Sequence, residues 1–274
     1  MENWHDYAAE HAEHSVVGSL HYIPNLWSPQ LENERAIFVW LPESYAASDK
    51  HYPVIYMHDG QNLFDAALSF CGEWGVDETL TTLGYGGIEA IVVGISNVGT
   101  DRCNEYSPFT DLRRGGGCGD DYLDFIAHTL KPIIDRDFRT LADREHTAIF
   151  GSSMGGLISL YAAFTHADTF GLAGVMSPSL WFANRAIFPV IQQATSAPSR
   201  IYLDAGTAEG TWMLHDAQRM AALLRAKGLG KQMIYVEEPG APHTEAAWAE
   251  RLGLALIFLL RGLQAHPLPV GLLE

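Results

Sequence analysis

The sequence predicts an α/β fold, a mostly parallel central sheet with helices on both faces. Three observations carry this: short apolar runs rich in β-branched residues, helical stretches alternating with the later runs, and a Gly-x-Ser-x-Gly where one run gives way to a helix. The first run, AIFVWLP (36–42), follows HSVVGSLHYI, so residues 1–35 read as an N-terminal extension that adds antiparallel strands at one edge. PVIYMHDG (53–60) and AIVVGIS (90–96) are near-continuous apolar runs, the pattern of strands buried on both faces. GDDYLDFIAHTLKPIIDRDF (119–138) has helical spacing, HTAIFGSS (146–153) is the next strand, and MGGLISLYAAFTHA (154–167) the helix after it. AGVMSPS (173–179), RIYLDAG (200–206) and MIYVEEPG (233–240) complete the strands, with HDAQRMAALLRAKG (215–228) and TEAAWAERLGLALIFLLRGL (244–263) as the last helices. Within the final helix LGLALIFLL (252–260), bounded by Arg251 and Arg261, is about half the length a bilayer span needs and reads as a buried helix, with no membrane association expected. Strand–helix alternation implies right-handed crossovers. No repeat or low-complexity linker divides residues 1–274, which are expected to form a single domain.

Composition narrows the function. In 274 residues, 17 Lys+Arg face 33 Asp+Glu, a net charge of −16 that argues against nucleic acid as partner. At 47% hydrophobic and 18% charged the chain can bury a sizeable core. The three cysteines, Cys71, Cys103 and Cys118, make no disulfide framework and suggest a reducing compartment. The opening MENWHDYAAEHAEHS lacks the basic and apolar regions of a secretory signal, which makes the cytoplasm the default expectation. No His/Cys/carboxylate cluster has metal-ligand spacing, so neither metal nor organic cofactor is expected.

In such sheets ligands bind beyond the carboxyl ends of the strands. There stands Gly151-Ser152-Ser153-Met154-Gly155, a nucleophile elbow in which small residues allow a strained turn to lift the Ser153 hydroxyl above the sheet. A serine nucleophile needs a base and the base an orienting acid, in the chain order Ser, Asp or Glu, His. His243, in a Gly/Pro loop after a strand, is the expected base; His215 sits on a helix face instead. For the acid, Glu209 beyond the end of RIYLDAG is preferred over Asp204 inside that strand, with Asp216 third. The oxyanion hole is expected from the N–H groups of Met154 and of Gln61, in the loop His58-Asp59-Gly60-Gln61-Asn62. His58 is expected to shape that loop, and it and Asp59 are placed at the substrate pocket.

These residues resemble the putative-esterase family of α/β-hydrolases, with its esterase D-type, feruloyl and enterobactin esterases and mycolyltransferases. The resemblance runs from about Arg35 to the C-terminal helix and rests on YMHDGQNLFD (56–65), WGVDE (74–78), IVVGISN followed by Arg102 and Glu105 to Pro108, GSSMGGLISLYAA (151–163), VMSPSLWF (175–182) and PHTEAAWAERL (242–252). It implies the α/β-hydrolase fold, with Ser153 as nucleophile, His243 as base and, in a G-T-x-E turn, Glu209 as acid, where many relatives carry Asp. It also implies Trp181 and Phe182 as pocket walls and a structural Arg102–Glu105 ion pair beneath the pocket; Trp212 is a further expected residue of a loop-lined pocket.

The expected partner is a small-molecule ester, hydrolysed by a cytoplasmic serine carboxylesterase. Feruloyl or acetylated-carbohydrate esters and siderophore esters are alternatives, the last disfavoured by the net charge of −16. Acyl transfer by the same acyl-enzyme is a further reading, and a non-catalytic binding scaffold the most distant. Edge strands near the N-terminus leave a homodimer open.

Overall fold

The computed structural model describes residues 3–263, so the outer ends of the expected domain, 1–2 and 264–274, lie outside the described residues. Nine strands form one sheet: β1 (His5–Asp6), β2 (Ser19–Ser28), β3 (Asn33–Leu41), β4 (Val54–His58), β5 (Ile91–Ile95), β6 (Thr147–Ser152), β7 (Leu172–Met176), β8 (Arg200–Gly206) and β9 (Met233–Glu238). Their order is β1-β2-β3-β5-β4-β6-β7-β8-β9. The first three strands join antiparallel at one edge, as the N-terminal extension predicts, and every pairing from β5 onward is parallel. The order reverses at β4, which lies between β5 and β6, and in such sheets ligands bind outside the carboxyl ends of the strands at that reversal, here β4 and β6.

The two-residue side-chain period divides the core into two layers. Ile37, Val39, Tyr56, Val93, Ile149, Val175 and Leu203 face one side. Their in-between neighbours Phe38, Trp40, Met57, Val92, Phe150, Met176 and Tyr202 face the other. The first layer is covered by α2 (Gly119–Phe125), which runs through a π turn at Ile126–Leu130 into α3 (Lys131–Asp137), and by α4 (Met154–Thr165), α5 (Ile187–Gln193) and α6 (Thr211–Ala226). The second is covered by α1 (Val76–Gly84) and α7 (Glu245–Leu260), through Val76, Leu80, Trp248, Leu252 and Leu256. This is the α/β-hydrolase architecture.

The structure refines the sequence reading at three points. The run at 233–240 is an edge strand with mostly half-buried residues, because β9 has a neighbour on one side only. Helices α1 and α5 were not foreseen, being short segments without a full amphipathic period. The Arg102–Glu105 pair does not form: Arg102 binds Asp59 at 2.7 Å, while Glu105 binds Arg35 at 2.8 Å and is buried with it. The two residues stand three apart on a one-turn helix, Arg102–Glu105, and longer-range partners claim both.

Asp77 at the start of α1 is fully buried, accepts from the Val17 N–H at 2.6 Å through Oδ2, and leaves Oδ1 without a hydrogen-bond partner. Burial, and Glu78 beside it, push its carboxyl up to about 8. A folded-state value above the ordinary one means that the protonated carboxyl supports the fold at low pH, and that this support is lost as pH rises through about 8. Asp77→Asn keeps an acceptor for Val17 and carries no charge. Its melting temperature is expected to exceed the parent's at pH 9 and to fall less between pH 5 and 9; a parent more stable than the variant at pH 9 refutes this.

Candidate active site

Ser153 ends the β6–α4 elbow with φ 57° and ψ −118°, a conformation that non-glycine residues rarely adopt. The turn is possible because its glycines leave room: a Cβ on Gly151 would lie 2.8 Å from the His58 ring, and one on Gly156 would lie 2.8 Å from the Met176 carbonyl. Ser153 occupies the N-cap of α4 yet makes no side-chain cap bond, so its hydroxyl is free for other partners. Those partners are His243 Nε2 at 3.0 Å and the buried Ser179 hydroxyl at 3.3 Å.

His243 lies between β9 and α7, with its side chain 30% exposed. Its Nδ1 is 3.1 Å from Oε2 of Glu209, whose side chain is fully buried. The Trp248 ring meets the imidazole edge-on, with centroids 4.8 Å apart, and limits its swing. Of the three candidate acids, Glu209 is therefore the one brought to His243. Asp204 is buried against Arg251 at 2.8 Å and the Ser177 N–H at 2.9 Å, and Asp216 is buried against Arg185 and Arg219. His215 is exposed on α6.

Met154 opens α4, where the first N–H groups have no partner within the helix. Gln61 lies in the 3-10 turn Gly60–Asn62 directly after β4, its side-chain oxygen accepting from the Asn97 N–H at 3.3 Å. Both expected oxyanion donors thus stand just beyond the carboxyl ends of β4 and β6, Gln61 in a 3-10 turn and Met154 in the first turn of α4. Asp59 is held by Arg102 and Asn97, each at 2.7 Å; burial pushes its carboxyl up, and these two partners outweigh that and leave it below its ordinary value.

The expected pocket residues separate into two groups. His58 and Phe182 are only 2% and 1% exposed and present no face to a substrate, which corrects their assignment as pocket residues. His58 supports the elbow from below, its Nδ1 at 2.8 Å from the Tyr122 hydroxyl; burial drives its imidazole down to about 3, so it is uncharged. Phe182 packs into the core of the first layer. Trp181 is half-buried under the Arg114 guanidinium, 5.0 Å from its ring centroid, and Trp212 is exposed with Arg185 at 6.0 Å.

Sequence reasoning gave no role to Ser177, Ser179 or Arg251. A signal existed for Arg251: it stands on the apolar face of α7 among Trp248, Leu252 and Ala255, where an arginine needs a buried partner. Among the described residues, Glu73, Asp77 and Glu78 bring carboxylate oxygens within 4.8 Å of one another, the grouping best suited to a cation, and it shares no member with the Ser153 site.

A family profile described as "Putative esterase" matches residues 28–259. The chain belongs to this esterase family. It is an ester hydrolase. This esterase is 26% identical over 242 residues to the uncharacterised protein YbbA of Bacillus subtilis, covering 82% of the chain and 92% of the relative. It is 29% identical over 159 residues to a siderophore enterobactin esterase of Emericella nidulans, covering 53% of the chain and about half, 52%, of that relative. In fold it is similar to the crystal structure of the BES protein from Bacillus cereus, with a TM-score of 0.71 and 22% identity, over 89% of this chain and 95% of the other. No helix among the described residues is long and apolar enough to cross a membrane.

Proposed function

We propose that this esterase is a serine carboxylesterase acting through an acyl-enzyme. The observation that carries the reading is the unbroken hydrogen-bond path from Ser153 through His243 to Glu209. Ser153 Oγ attacks the ester carbonyl while His243 Nε2 takes its proton, and Glu209 stabilises the imidazolium that forms. The N–H groups of Met154 and Gln61 hold the oxyanion. His243 then returns the proton to the leaving alcohol, and water activated by the same imidazole releases the acid.

Exposed apolar side chains stand in the segments that follow three strands: Phe70 after β4, Leu112 after β5, and Trp212 in the first turn of α6 after β8. Together with half-buried Trp181 they favour an ester with an apolar or aromatic part. A siderophore ester is the second reading. Its support is the enterobactin esterase relative and the faces of Trp181 and Trp212, each with a guanidinium, of Arg114 and Arg185, over it.

The test is a p-nitrophenyl ester series from acetate to decanoate, with methyl ferulate, an acetylated sugar and enterobactin beside it. The carboxylesterase reading expects short acyl chains to give the highest kcat/KM. Turnover confined to enterobactin favours the second reading, and products esterified to an added alcohol, in place of free acid, point to acyl transfer.

A further inference from the structure

Ser177 follows β7 with φ 42°, a left-handed conformation, and it precedes Pro178, which disfavours that conformation further. Glycine would be free of this strain, so the position spends conformational energy on keeping a side chain. That side chain is a hydroxyl with every hydrogen-bonding capacity used. Its oxygen accepts from Trp248 Nε1 at 3.0 Å and from Arg251 Nη2 at 3.0 Å, and it lies against Oε1 of Glu209.

Indole and guanidinium nitrogens can only donate, so they occupy both lone pairs of the hydroxyl. The Ser177 proton has one place left to go, the Glu209 carboxylate. Oε1 of Glu209 receives a second donor, the Gly206 N–H at 2.8 Å, and Oε2 is left to face His243 Nδ1. An acceptor at that point requires Nδ1 to carry the imidazole proton, and the Nε2 lone pair then points at Ser153. Behind Ser177, Asp204 ties both ends of the device: Oδ1 accepts from the Ser177 N–H at 2.9 Å and Oδ2 from Arg251 at 2.8 Å.

We infer that Ser177 is a positioning residue: Trp248 and Arg251 aim its hydroxyl at Glu209, and it acts through that carboxylate to hold His243 in the tautomer that can take a proton from Ser153. This rests on the reading of Glu209 as the acid that orients His243.

The test is a double-mutant cycle of Ser177→Ala and Glu209→Ala, assayed on p-nitrophenyl acetate. Ser177→Ala alone is expected to lower kcat about 10-fold or more with KM within about twofold, and to lower it no further in the Glu209→Ala background, because the two act as a unit. Multiplying effects overturn the inference, as does a Ser177→Ala protein with parental kcat. Glu209→Ala at parental kcat overturns the reading beneath and the inference with it. Should Ser177→Ala fail to fold, Trp248→Phe serves in the same cycle: it keeps the serine but removes one of the donors that aim it, and the same lack of additivity with Glu209→Ala is expected.

Discussion

Ser153→Ala is expected to lower kcat on p-nitrophenyl esters by at least about 10⁴-fold, the scale on which removal of a nucleophile acts when other parts of a triad remain. The loss reaches every substrate of the series alike, since a missing acyl-enzyme does not depend on the acyl group. The fold should barely notice. The Ser153 hydroxyl contacts His243 and Ser179 and caps nothing, so stability is expected to stay within about 0.5 kcal/mol of the parent. A fluorophosphonate probe should label the parent and not the variant. Substantial turnover by a Ser153→Ala protein removes the serine mechanism, whereas an unlabelled and inactive parent points to a binding scaffold.

Glu105→Ala is expected to cost about 3–5 kcal/mol of folding stability, the penalty for leaving a buried charge without its partner. Arg35 and Glu105 meet through two bonds of 2.8 Å with side chains 0% and 2% exposed, and the guanidinium lies over Tyr122 and Phe125, at 5.4 and 5.1 Å from their ring centroids. Arg102→Ala should cost less, because Arg102 is 26% exposed and its Asp59 partner keeps Asn97. Urea unfolding of the single and double variants decides the pairing. Glu105→Ala with Arg35→Ala should be far from additive, and Glu105→Ala with Arg102→Ala close to additive. The reverse pattern would restore the Arg102–Glu105 pair.

Legibility in the sequence follows the range of the interactions involved. The strand after residue 146 and the helix after 153 were readable because side-chain period and small-residue turns are local features, and the elbow lies between them. The antiparallel N-terminal edge was readable for the same reason. Helix α5 was not, since IFPVIQQ is short, carries a proline and owes its place to packing under the sheet. Phe182 was misplaced because an aromatic after a strand end reads alike whether its ring faces outward or inward. Ser177 sits in a strand-end motif that looks like any turn, and its three hydroxyl partners come from α7 and from the loop after β8, 32 to 74 residues away in sequence.

The sequence by itself determined the α/β alternation, the elbow with Ser153 at its tip, and the short list of downstream groups, His243 with Glu209, Asp204 or Asp216, from which a base and an acid would come. The tertiary structure alone decided which carboxylate meets His243, which acid each of Arg35, Arg102 and Arg251 neutralises, and which aromatics keep a surface. The physical reason is that turn chemistry and side-chain period act over a few residues along the chain. The partner of a buried charge is chosen by desolvation and by what the sheet order carries within about 3 Å of it, and neither quantity exists until the strands are in register.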